Sequence, residues 1–222
     1  MSVHFANLVV NTERSFASKP LLKQIILWIK QLDAIKSVTK SLPFLGERMD
    51  EVSKAKDMSE LFLILTEYWS WYNTYLLEEL ITQFGDGEDK KRLREYNEKF
   101  TAFLETRLSN SQDLFQLGAG HGPGNGWKPL LIKVDENWEE KSLGQIRWLH
   151  HHIADVLGVE PHVLYLSSIN KGCICLNFMV PSIVPDHLFP LSASQEKALL
   201  AANAFRLECG KYIWQVCAIC YY

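Results

Sequence analysis

Three consecutive histidines, His150, His151 and His152, are the most chemically suggestive run in the chain, because imidazole is a common zinc ligand and titrates near neutrality. Successive side chains on a helix point about 100° apart, however, and the run lacks the H-x-x-x-H spacing that stacks two ligands on one face. No metal site is expected from it. Four thiols offer a second possibility: Cys173 and Cys175 would share one face of a strand, and Cys217-x-x-Cys220 has zinc-knuckle spacing. No Gly-rich knuckle follows Cys220, and no helix N-terminus is evident to lower a redox thiol's pKa. The cysteines therefore read as small apolar residues, with no metal or cofactor implied. For catalysis the chain supplies neither a G-x-S-x-G elbow nor an H-E-x-x-H helix, and Asp135, Glu136, Glu139 and Glu140 read as a solvated connector. A non-enzymatic protein with no catalytic residue is expected.

Two further patterns concern binding. The run Lys171-Gly172-Cys173-Ile174-Cys175-Leu176-Asn177-Phe178 overlays the K-G-aromatic-x-aromatic-V-x-aromatic octapeptide of RNA recognition motifs. The base-stacking positions carry Cys173 and Cys175, and the residues from Lys128 onward hold 8 Lys plus Arg against 9 Asp plus Glu, a net −1. Stacking platform and backbone attraction are both missing, so no nucleic-acid partner is expected. Tyr68, Trp69, Trp71, Tyr72 and Tyr75 crowd five aromatic rings into eight positions. On one continuous helix they would cover more than one face, so either the helix breaks near Ser70 and Asn73 or some rings stay exposed. Because Trp and Tyr dominate binding hot spots, Trp69, Trp71 and Tyr75 are the candidate binding residues.

The elements that must position these residues follow from hydrophobic period. Composition is that of a globular chain: 222 residues, 47% apolar, 22% charged, net charge −3. Ahead of residue 117 the apolar spacing is helical. One stripe follows Pro20 (Leu21, Leu22, Ile25, Ile26, Ile29, Leu32), another follows the N-cap candidate Asp57, a third runs from Leu76 to Phe84 before Gly85, and a fourth from Leu93 to Leu108. With Phe5, Leu8 and Val9 this makes four or five helices. LGAGHGPGNG, Leu117 to Gly126, holds five of the chain's 12 glycines without G-x-G-x-x-G spacing and reads as a linker. Beyond it come a strand-like LLIKV (130–134), a helix over 142–157 closed by Gly158, a hairpin from HVLYL (162–166) to CICLNFMV (173–180), a helix opened by Ser192, and FRLEC (205–209). The expected fold is α+β, an N-terminal all-α helical bundle over 1–116, a Gly-rich linker over 117–127, and a ferredoxin-like βαββαβ domain over 128–222.

YWSWYNTYLLEELITQFG (Tyr68 to Gly85) followed by YNEKFTAFLETRL (Tyr96 to Leu108) resembles a helical, YWSFFN-type module of uncharacterised sponge and cnidarian proteins, and FANLVVNTERSF fits the start of that module. LGVEPHVLYLSSINKGCICLNFMVPS, HLFPLSASQEKAL and FRLECGKY resemble the small α+β module that commonly follows it. Such proteins often carry death-fold or NACHT domains, so the resemblance implies a protein–protein interaction or adaptor role in innate-immune or cell-death assemblies, and it carries over no catalytic residue. The expected partner is a protein or a second copy of the chain. RNA binding through the C-terminal sheet is the alternative. No window approaches 18 uninterrupted apolar residues, and the first residues lack a leader with an apolar stretch and cleavage site. A cytoplasmic protein without membrane contact is therefore expected.

Overall fold

A computed structural model of the chain describes residues 1–38, 48–106, 108, 124, 126–170 and 173–216. Among these residues, six helices come first: α1 (Ser2–Ala17), α2 (Leu22–Val38), α3 (Met49–Lys54), α4 (Met58–Leu65), α5 (Tyr75–Phe84) and α6 (Gly87–Leu104). Each amphipathic stripe supplies the buried face. In α1, for example, Phe5, Leu8, Thr12 and Phe16 point inward at three- and four-residue spacing. Asp57 caps α4 as its sequence suggests, accepting the Glu60 backbone N–H at 2.8 Å. Gly85 ends α5, though in an extended rather than a left-handed conformation. Its requirement is steric, since a Cβ there would lie 2.4 Å from the Ile81 carbonyl oxygen. Lys19, just past α1, holds the start of α6 through an ion pair of 2.7 Å with Asp86.

The stretch from Asp57 to Phe84 is two helices. After Leu65 the chain tightens into a 3-10 turn, Thr66–Tyr68, becomes extended at Trp69, and re-enters a helix only at Tyr75. The break falls on Ser70 and Asn73, residues whose short polar side chains compete with helical backbone bonding.

The C-terminal half is a five-stranded antiparallel sheet in the order β2-β3-β1-β4-β5, built from β1 (Trp127–Asn137), β2 (Tyr165–Asn170), β3 (Cys173–Pro181), β4 (Ala204–Cys209) and β5 (Tyr212–Gln215). α7 (Leu143–Leu157), a five-residue α8 (Val184–Leu188) and α9 (Ala193–Ala201) complete it. The mixed fold, helices first and sheet second, follows the reading of the sequence. The sheet has one strand more than the four expected. Gly210, at φ +59, lets the chain reverse after Cys209, and Tyr212 to Gln215 pair back onto β4. At four residues this strand is too short to leave a readable alternation.

α7 and α9 both begin with capping boxes, Ser142 with Gln145 and Ser192 with Gln195, and α7 ends on Gly158 at φ +70. Alternate residues of β1 and β3, including Leu130, Ile132, Val134, Ile174, Leu176, Phe178 and Val180, are buried. Buried side chains of the helical part and of the sheet part belong to one continuous cluster. The expected linker lies outside the described residues except for Gly124, Gly126 and Trp127, the last of which opens β1.

Candidate functional site

The aromatic segment 68–75 lies where the helices meet the sheet. Its turn is organised by Ser70, whose Oγ accepts from the backbone N–H of Asn73 at 3.1 Å and from Asn73 Nδ2 at 3.0 Å. That fixes the Asn73 amide so that Nδ2 donates to the Leu166 carbonyl at 3.0 Å while Oδ1 accepts the Leu166 N–H at 3.1 Å. Among the described residues β2 is an edge strand, and the side-chain amide bonds its free edge as a neighbouring strand would.

α7 supplies the other wall. Arg147 Nη1 donates to the Tyr72 carbonyl at 2.9 Å. Its guanidinium lies 4.7 Å from the Tyr75 ring centre and 4.8 Å from that of Phe100, a cation held between aromatic rings from two helices. Tyr72 is fully buried, and burial raises its hydroxyl pKa. Across the same boundary the Tyr68 ring packs on Trp127 at 5.8 Å, and the chain beyond α6 bonds to the entry of α7 through Leu143 N–H to Thr106 O at 3.1 Å.

The three histidines occupy three different environments. His150 is fully buried, stacked on Tyr72 and 5.0 Å from Phe178, with Nε2 placed 3.1 Å from the Pro161 carbonyl. Burial pulls its pKa down to about 3, so it is neutral and donates that hydrogen bond. His151 Nε2 lies 2.8 Å from the Tyr75 hydroxyl. Burial, then Arg147, lowers the His151 pKa, while burial pushes the Tyr75 phenol up to about 12. Both groups are therefore neutral, and they share a neutral phenol–imidazole hydrogen bond. His152 faces outward and stacks on Trp148 at 5.2 Å with the rings 3° from parallel. Among the described residues, no three His, Cys, Asp or Glu side chains converge as a metal site.

Of the three rings singled out from sequence, Trp69 is 2% exposed and packs edge-on to Phe62. Trp71 is half-buried against Phe100 and Phe103. Tyr75 is half-buried between Arg147 and His151. Trp148, which the sequence reading did not single out, is 63% exposed and is the one exposed tryptophan among the described residues. The available signal was its place outside the inward stripe Leu143, Ile146, Leu149, Ile153 of α7. In the octapeptide, Phe178 is buried against His150, while Cys173 is exposed and Cys175 half-buried. Lys171, Gly172, Cys217 and Cys220 lie outside the described residues. No described helix is long and apolar enough to cross a membrane. No protein-family model, curated protein or solved structure matches the chain.

Proposed function

We propose that this chain is a non-enzymatic protein–protein interaction module, an adaptor of the kind used in innate-immune or cell-death assemblies, and that the outward face of α7 is its contact surface. The observation that carries the reading is Trp148, a large ring 63% exposed and held flat against His152. An indole kept in one orientation loses little conformational freedom on binding, and tryptophan is among the residues most enriched at binding hot spots. Trp71 and Tyr75, half-buried at the boundary between helices and sheet, belong to the supporting rim in this reading, and Trp69 to its core.

The resemblance to sponge and cnidarian two-module proteins supports the adaptor assignment. The strand order β2-β3-β1-β4, with α7 and α9 in contact beneath it, supports reading the C-terminal part as ferredoxin-like with β5 appended at one edge. The test is Trp148→Ala, compared with the unaltered chain by sedimentation and by affinity purification from the native cell type with nuclease present. The variant should keep its far-UV spectrum and melting temperature and lose self-association or partner recovery. Association that survives the substitution unchanged contradicts the reading, as does recovery that depends on RNA.

A further inference from the structure

On the sheet face turned away from the core, β3 presents Cys173, Cys175, Asn177 and Met179, alternating with the buried Ile174, Leu176, Phe178 and Val180. This two-residue period brings the Sγ atoms of Cys173 and Cys175 within 3.7 Å of each other. Both are free thiols. Lys133 on β1 stands opposite Cys175 in register. Burial and the neighbouring Cys173 sulfur hold the Cys175 thiol above its ordinary value, and the Lys133 ammonium works in the opposite direction.

The distance between the sulfurs discriminates among the chemistries open to a dithiol. A disulfide needs a separation of about 2.05 Å and Cα atoms no more than about 6.8 Å apart. Two residues along an extended strand already span about 6.8 Å, the far limit of that range and above the roughly 5.5–6 Å at which disulfides are commonest, so a disulfide is disfavoured here. An ion bound in a straight line at about 2.3 Å per bond would need sulfurs about 4.6 Å apart. An ion at that bond length from sulfurs 3.7 Å apart subtends an angle of about 107°, close to the tetrahedral value that zinc adopts with thiolates.

We propose that Cys173 and Cys175 form a two-thiolate half-site for Zn2+ on the open face of the sheet, with water in the two remaining tetrahedral positions. Each Zn–S bond replaces an S–H bond, so one ion releases two protons. Being on the surface, the site holds no part of the core, and its occupancy leaves the fold as it is.

The test titrates the reduced full-length chain with Cd2+, read by thiolate-to-metal charge-transfer absorption, and then displaces it with Zn2+. The expected result is a band that saturates with this pair occupied, is reversed by Zn2+, and weakens towards 100-fold per pH unit under acid conditions, as the release of two protons requires. Cys173→Ser should weaken binding at least tenfold, and the double variant Cys173→Ser/Cys175→Ser should abolish it. Cys217→Ser/Cys220→Ser should leave it in place. Should the double variant fail to fold, the single variant at exposed Cys173 decides the matter. No band, a band that survives loss of Cys173, or a band lost with Cys217 and Cys220 would overturn the proposal.

Discussion

Asn73 makes three hydrogen bonds through one amide and thereby fastens a helical turn to the edge of β2. Replacing it by Ala leaves the Leu166 N–H and C=O buried without those partners, and each such group costs about 1–3 kcal/mol. Asn73→Ala should therefore lower stability by about 2–4 kcal/mol, read as a shift of the urea midpoint, whereas Asn73→Asp keeps the acceptor and loses the donor. His150 gives a second prediction, in pH. Its folded pKa of about 3 lies below the ordinary histidine value near 6.5, so between those values the unfolded chain binds the extra proton. Stability is thus complete above about pH 6.5 and is lost as the pH falls towards 3, by an amount on the order of 4 kcal/mol from this residue. The lowered pKa of His151 acts in the same direction. Denaturation measured at intervals from pH 7 to pH 4 should show the decline, and His150→Leu should flatten it; an equal slope in the variant contradicts the assignment. At this scale the sequence was partly informative. Helical geometry alone predicts that three adjacent imidazoles diverge, and they do. Which aromatic ring is buried is settled by packing on three other helices, Trp69 on α4, Trp71 on α6 and Tyr75 on α7, and no pattern within the segment itself encodes it.

Elements whose ends carry their own signals were legible. Asp57, Ser142 and Ser192 each cap the helix that follows, and Gly158 ends α7 in the left-handed conformation that favours glycine. The Ser142→Ala variant should lose about 1 kcal/mol, the usual worth of such a cap, and a loss of helical signal confined to the first turn of α7 by amide exchange would localise it. Strand ends were less legible. The run HVLYL starts at His162, yet β2 begins at Tyr165, because Pro161 initiates a 3-10 turn that takes up the first part of the run. β5 and α8, at four and five residues, are shorter than the windows in which a period can be recognised. The break between α4 and α5 was one of two outcomes open to the aromatic segment, and it is Asn73's bonding to β2, a contact across 93 residues, that accompanies it.

For the molecule as a whole, helices and sheet are joined by polar contacts as well as by packing: the Asn73 amide on β2, Arg147 on the Tyr72 carbonyl, and the backbone bond from Leu143 to Thr106. Most of α7 is committed to this boundary and to the sheet, which leaves its outward strip, with Trp148 and His152, as the part free to meet another molecule. The most direct measurement of the proposed function places a photo-crosslinking amino acid at position 148 and irradiates the protein in its native cells, with the same group at exposed Lys30 as a control. The account predicts discrete protein adducts from position 148 that are absent from the control and unaffected by nuclease. Adducts equal at both positions, adducts only to RNA, or none from position 148 while the chain remains folded would contradict it.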